Sequence, residues 1–155
     1  MGARQFQYPL QPIAAQRQWA LDALLLELNE CNQALAQRHS ECQAAREQVA
    51  QLTAAWREQA LRGTALRADQ HALWSGYLLD CRQRQANLEQ ALASLQEARD
   101  GLVEQVSVAQ RALDAMDKHR VGLQREFVKA GLSAEFKSAD DQWGVLQTIR
   151  SRDGD

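Results

Sequence analysis

The stretch LDALLLELNECNQALAQRHSECQAAREQVAQLTAAW, residues 21–56, decides the fold. Stepping through it by alternating threes and fours lands on Leu21, Leu24, Leu28, Cys31, Leu35, Arg38, Cys42, Ala45, Val49, Leu52 and Trp56. Ten of these eleven positions are apolar, which is the a/d seam of a heptad repeat. Gln, Glu, Arg, Asn and Ala fill most of the space between them. An apolar line this long cannot stand in water alone, so the helix requires a second helix against it.

The same chain supplies a candidate. From Trp74 the stepping continues through Leu78, Cys81, Gln85, Leu88, Leu92, Leu95, Arg99, Leu102, Val106, Ala109, Leu113, Met116, Arg120, Leu123 and Phe127, and thirteen of the sixteen are apolar. The d positions are all apolar, while Gln85, Arg99 and Arg120 all fall at a. Polar residues at a weaken a seam and restrict its register. Gly63 is a natural end for the first helix, because glycine accepts the left-handed conformation after a last turn. Thr64 or Asp69 could cap the second. One continuous helix also fits so weakly marked a junction, but two stripes joined by a short connection favour an antiparallel hairpin. The second stripe outruns the first, so Met116 to Phe127 are expected to face the residues before Leu21, notably Leu10 and Ile13, or another partner.

Further on, Gly131 reads as a helix end with Leu132 folded back on the last turn. Ser138-Ala-Asp-Asp141 has the spacing of a capping box, with Asp in place of the preferred Glu or Gln. Trp143, Leu146 and Ile149 follow on one face. The expected fold is therefore all-α: a single helical-hairpin domain over 1–150. Arm one covers about 13–62, the bend 63–71, arm two 72–130 and a short C-terminal helix 139–150, with a frayed tail at 151–155.

Composition agrees and excludes other classes. The chain of 155 residues is rich in alanine, glutamine and leucine, and its prolines, Pro9 and Pro12, both precede the first stripe. No apolar run approaches the roughly 20 residues that cross a bilayer, and the amino-terminal stretch lacks the pattern of a secretory signal. Met1-Gly2 would suit myristoylation, but Phe6 stands where Ser or Thr is wanted. The formal charge is -2, and seven basic and seven acidic side chains balance over residues 1–70, leaving no footprint for nucleic acid. Three widely spaced cysteines fit a reducing compartment better than a disulfide scaffold.

Signs of chemistry are few. No glycine-rich phosphate loop is present. His39, His71 and His119 have no ordered acidic partner, and the plain reading is of rim or solvated histidines. Cys31, His39 and Cys42 match no usual zinc spacing, and both cysteines sit on the seam, where a thiol acts as a small hydrophobe. The expectation is a protein without cofactor or metal that binds partners and is not an enzyme.

Aromatic and basic positions carry more information. Trp56 ends the first stripe and Trp74 opens the second, so the two are expected to meet at the bend and close its seam. Trp19 and Leu26 both fall at f, seven residues apart, pointing away from the hairpin partner. Such residues mark either a docking surface or the seat of a further helix, which the Trp143-Leu146-Ile149 face could supply. The only lysines, Lys118, Lys129 and Lys137, fall late in the chain. Trp19, Leu26, Lys118, Lys129 and Trp143 are the candidate partner-docking residues, and Trp56, Gly63, Trp74 and Tyr77 the candidate bend residues.

The opening Phe6-Gln-Tyr-Pro-Leu-Gln-Pro-Ile-Ala-Ala-Gln-Arg17 and the cluster Leu73-Trp74-Ser-Gly-Tyr77-Leu78 resemble the FliJ/YscO group of type III secretion stalk proteins. The small Hrp-type variants of plant-pathogen systems look most similar. The chain departs from the flagellar form in being acidic and lysine-poor, so no charged contact residue carries over; Trp74 and Tyr77 do, as hairpin structure. The resemblance implies a cytoplasmic stalk at the inner-membrane secretion apparatus. It would bind the hexameric secretion ATPase and contact the export-gate protein and export chaperones, with no membrane insertion and no nucleic acid. A generic coiled-coil scaffold or an export-chaperone-binding adaptor is the alternative.

Overall fold

The computed structural model describes residues 5–63, 65 and 67–152, with the side chains of 148–152 excepted. Two long helices pack against each other as an all-α antiparallel hairpin: α1, Gln11–Leu61, and α2, Ala68–Arg152. Residues rich in Ala, Leu, Gln, Glu and Arg propagate helix readily, and Pro12 sits in the first turn of α1, where its missing N–H leaves no gap. The chain forms two compact units, Leu21–Ser107 and Met1–Ala20 with Val108–Asp155.

Leu21–Ser107 contains the bend. After Leu61 the chain turns through Arg62 and Gly63, and Gly63 has φ of 66°, the only positive φ among the described residues. Its N–H reaches the Ala60 carbonyl at 3.5 Å, and the Arg62 N–H donates to Glu58 at 3.1 Å. That is the glycine helix end expected from the sequence. No side chain or backbone lies within 4 Å of a Cβ built there, so only the backbone would resist substitution. Gly63→Ala should cost about 1 kcal/mol, read as a lower urea midpoint, whereas Gly76→Ala, inside α2 with open space around it, should leave stability equal or raised. Equal midpoints for Gly63→Ala and the parent chain would refute this account of the turn.

The start of α2 differs from expectation by several residues. It begins at Ala68, and the Arg67 carbonyl accepts the His71 N–H at 3.0 Å. Asp69 therefore stands within the first turn, beside Arg67 at 3.4 Å, where an acid suits the positive end of the helix dipole but does not cap it. Thr64 lies outside the described residues.

Across this unit the helices run antiparallel. Trp56 meets His71, Gln48 bonds Tyr77, Arg46 pairs with Glu89, and the Cys31 thiol faces the Leu95 carbonyl. Each step back along α1 is answered by a step forward along α2. All eleven positions of the first stripe are buried or half-buried, Leu21, Cys42 and Ala45 most deeply. On α2, Leu78, Cys81, Leu92 and Val106 are buried. Such small core side chains as Cys42, Ala45 and Cys81 let the helices approach closely.

The polar seam residues are drawn aside by acids of their own helix. Arg38 pairs with Glu41 at 2.8 Å, Gln85 Nε2 donates to Glu89 at 3.1 Å, and Arg99 Nη2 lies 3.1 Å from Asp100. The pairs three and four residues apart hold the charge at the rim while the aliphatic stems stay on the seam, whereas Arg99, paired only with its chain neighbour, keeps a buried Nε without a hydrogen-bond partner. Among the described residues none that is polar or charged is fully buried.

In the other unit the segment before α1 packs on α2. Pro9 and the residue before it favour extended backbone, so Phe6 and Tyr8, two residues apart, point to one side. Phe6 stacks on Phe127 with centroids 5.6 Å apart, and Tyr8 stacks on His119 at 5.8 Å. The Tyr8 hydroxyl lies 3.3 Å from the Met116 carbonyl and 3.0 Å from His119 Nδ1. Leu10 and Ile13 were the expected cover for this part of α2; Leu10 is half-buried, but Ile13 is exposed and the aromatics do most of the covering.

Beyond Phe127 the expected breaks do not occur. Gly131 has no positive φ, and α2 passes through it and through Ser138 to Arg152, so the separate helix at 139–150 is the continuation of α2. Glycine permits a left-handed cap without requiring one, and no proline follows to enforce a stop. Ser151 and Arg152, assigned to the frayed tail, are helical; Asp153, Gly154 and Asp155 lie outside the described residues.

Candidate docking surfaces

Trp19 is held on the outer side of α1 by the seam itself. With Leu21, Leu24 and Leu28 turned toward α2, the f position two residues before Leu21 must turn away, and the indole is 73% exposed. Leu26, also at f, is 61% exposed in the other unit. Trp143 and Leu146 are exposed too, so of the two alternatives the one in which they fold back and bury Trp19 is not met; α2 carries them onward as part of one helix. Ile149, expected beside them, is among the residues whose side chains are not described.

A groove of about 540 Å³ runs beside Trp19, with Tyr8, Gln11 and Ala15 on one wall and Met116 and Arg120 on the other. Asp114, Asp117 and Leu113 join this lining, and Arg120 bonds Asp117 at 2.7 Å, so the α2 side mixes charged and apolar residues. Neither Lys118 nor Lys129 lines the groove, and both are exposed elsewhere on α2. The five candidate docking residues are thus all accessible, and of the four in this unit only Trp19 lines the groove.

The contribution of Tyr8 to this groove, and the packing of Phe6 on Phe127, escaped the heptad reading, which cannot see past the helix start. A period of two just before Pro9 was the available signal.

At the bend, Trp56 takes His71 as its ring partner, edge-on at 5.3 Å, in place of the expected Trp74. The α2 start at Ala68 puts His71 in the first turn and level with Trp56, so the histidine has a packing role and is not merely solvated. Trp74 is half-buried, and Tyr77 is half-exposed while accepting from Gln48 Nε2 at 3.1 Å. Leu61 and Leu73 stand largely exposed nearby.

A cross-helix ion pair sets charge on the rim. Arg46 Nε lies 2.8 Å from Glu89 Oε1. The hydrogen bond from Arg46, seconded by Gln85, holds the Glu89 carboxyl below the usual carboxylate range, and the bond to Glu89 raises the Arg46 guanidinium above its own. Both groups are solvated, so their value lies in register more than in stability.

The cysteines are free, and Cys31 and Cys42 lie on the seam as read from the sequence. Among the described residues no group of three or more His, Cys, Asp or Glu could hold a metal ion, and no helix is long and apolar enough to cross a membrane. What the geometry offers to chemistry outside the chain is accessible aromatic and aliphatic surface along the outer faces of two helices. No family model matches the chain, and no curated protein and no solved structure matches it.

Proposed function

We propose that the chain is a non-enzymatic cytoplasmic stalk or adaptor of a type III secretion apparatus, of the FliJ/YscO type, which binds the hexameric secretion ATPase and links it to the export gate. The observation that carries the reading is Trp19, an exposed indole at the edge of a groove lined by apolar and charged residues. Tryptophan is among the residues enriched as anchors of protein interfaces. The hairpin architecture and the aromatic residues at both ends of the second stripe support the same reading.

The test is binding of the purified chain to a hexameric secretion ATPase from the same source, followed by calorimetry. The parent chain should bind, and Trp19→Ala should weaken binding about tenfold while the helical circular dichroism and the unfolding midpoint stay unchanged, since 1.4 kcal/mol is a factor of ten. Absence of binding by the parent chain would sink the secretion reading and leave the generic scaffold. Binding that ignores Trp19→Ala would keep the partner but move the interface toward the bend, where Leu61, Leu73 and Tyr77 are accessible.

A further inference from the structure

From Gln124 to Gln147 every residue of α2 is exposed. Carried forward past Phe127, the seam positions are Ala130, Ala134, Lys137 and Asp141, so the seam loses its apolar character there. A new stripe replaces it: Leu132, Phe136, Ala139, Trp143 and Leu146, again spaced by alternating fours and threes. In the heptad of the seam these residues occupy c and f, the outward positions. The stripe therefore looks away from the side of α2 that Phe6, Tyr8 and α1 cover. Its large members are open to water: Leu132 is 51% exposed, Phe136 70%, Trp143 63% and Leu146 58%.

This segment is also a poor helix by composition. Gly131, Ser133, Ser138, Asp140, Asp141 and Gly144 lie within it. Each lowers helix propensity, and a helix of this length with no packed face is marginal in water. Something packed on the stripe would account for both the apolar spacing and the helix.

We propose that the stripe pairs with the same stripe of a second copy of this chain, antiparallel, about a two-fold axis between Lys137 and Ser138. In that register Leu132 packs on the partner's Trp143, Phe136 packs on the partner's small Ala139, and Leu146 lies along the aliphatic stem of the partner's Lys129. The flanking acids meet neutral hydrogen-bonding groups: Asp140 faces the partner's Ser133, Glu135 the partner's Gln142, and Glu126 the partner's Gln147. A parallel pair would instead set Glu135 beside the partner's Asp140 twice, like charge against like charge. A basic helix of another protein would fit the acidic flanks, but apolar layers that meet apolar layers, with each flanking acid set against an amide or a hydroxyl, are a property of the sequence with itself. The inference is independent of the secretion reading.

Sedimentation equilibrium of the full-length chain across the micromolar range tests it. A reversible monomer–dimer equilibrium is expected, and Phe136→Asp or Trp143→Asp should each raise the dissociation constant about tenfold or more while the melting of the hairpin is unchanged. A spin label at Gln147→Cys, with Cys31, Cys42 and Cys81 replaced by alanine, fixes the orientation. The antiparallel pair places the two labels roughly 30 Å apart, from the rise of an α-helix. A parallel pair would place them roughly 10 Å apart, the spacing of two packed helices. A chain that stays monomeric throughout, a dimer indifferent to both substitutions, or the short label distance would each overturn the proposal.

Discussion

Leu92→Asp should destabilise the hairpin by on the order of 4 kcal/mol, at the severe end of single substitutions. Leu92 is buried on α2, midway between the Cys81 and Val106 layers of the seam. Removing its side chain forfeits the packing of a leucine, and the carboxylate that replaces it is desolvated in the seam, with Glu89, of its own sign, three residues before it on the same helix. Urea titration by circular dichroism measures the loss. Leu79→Asp is the control, since Leu79 is 67% exposed. It should cost less than about 1 kcal/mol, mostly the helix propensity of Asp. Comparable losses from the two variants would mean that the seam does not carry the stability.

Tyr8→Ala should release the segment before α1 from α2. Tyr8 is the most deeply buried side chain of that segment, stacked on His119 and bonded through its hydroxyl, and deleting a packed aromatic costs about 3 kcal/mol. The loss is local, because the Leu21–Ser107 unit contains none of these contacts. Its signature is amide exchange at Gln11 and Ala14, whose N–H groups donate to Tyr8 and Leu10 within the same segment. Protection there should fall about a hundredfold, while amides around Leu92 exchange as before. Tyr8→Phe keeps the ring and loses only the hydroxyl bonds, about 1 kcal/mol, so its exchange should lie between. Unchanged protection in Tyr8→Ala would show that Phe6 and Leu10 hold the segment without it.

Much of the fold was legible because a heptad seam is a long-range pattern written in a local code. Eleven stripe positions on α1 predicted which residues would be covered, and Gly63 marked the turn because only glycine takes that φ cheaply. Helix ends were less legible where the signal was permissive. Gly131 could have ended α2 and did not, and Asp69 could have capped it but falls inside the first turn. Contacts made by one aromatic with another at long separation were not legible at all. Nothing in the spacing of Trp56 and Trp74 revealed that His71 would take the ring contact, and Phe6 and Tyr8 lie outside any heptad. Trp19 and Leu26 were legible as outward-facing, since f follows from a and d, and both are exposed.

The ladder of cross-helix contacts in Leu21–Ser107 also dictates an order of assembly. Gln48–Tyr77, Arg46–Glu89 and Cys31–Leu95 join residues 29, 43 and 64 apart, and Trp56–His71 spans fewer residues than any of them. Each contact, once made, shortens the loop that the next must close, so the entropy is lost in small steps when closure starts at the Gly63 turn. Started anywhere else, it would have to close a long loop before any contact rewarded it. A chain emerging from the ribosome completes α1 well before the residues that cover it exist, so for that interval its seam is open to any other helix nearby. The turn is therefore a kinetic device as well as a connection: it brings the correct partner helix first because that helix is the next thing synthesised.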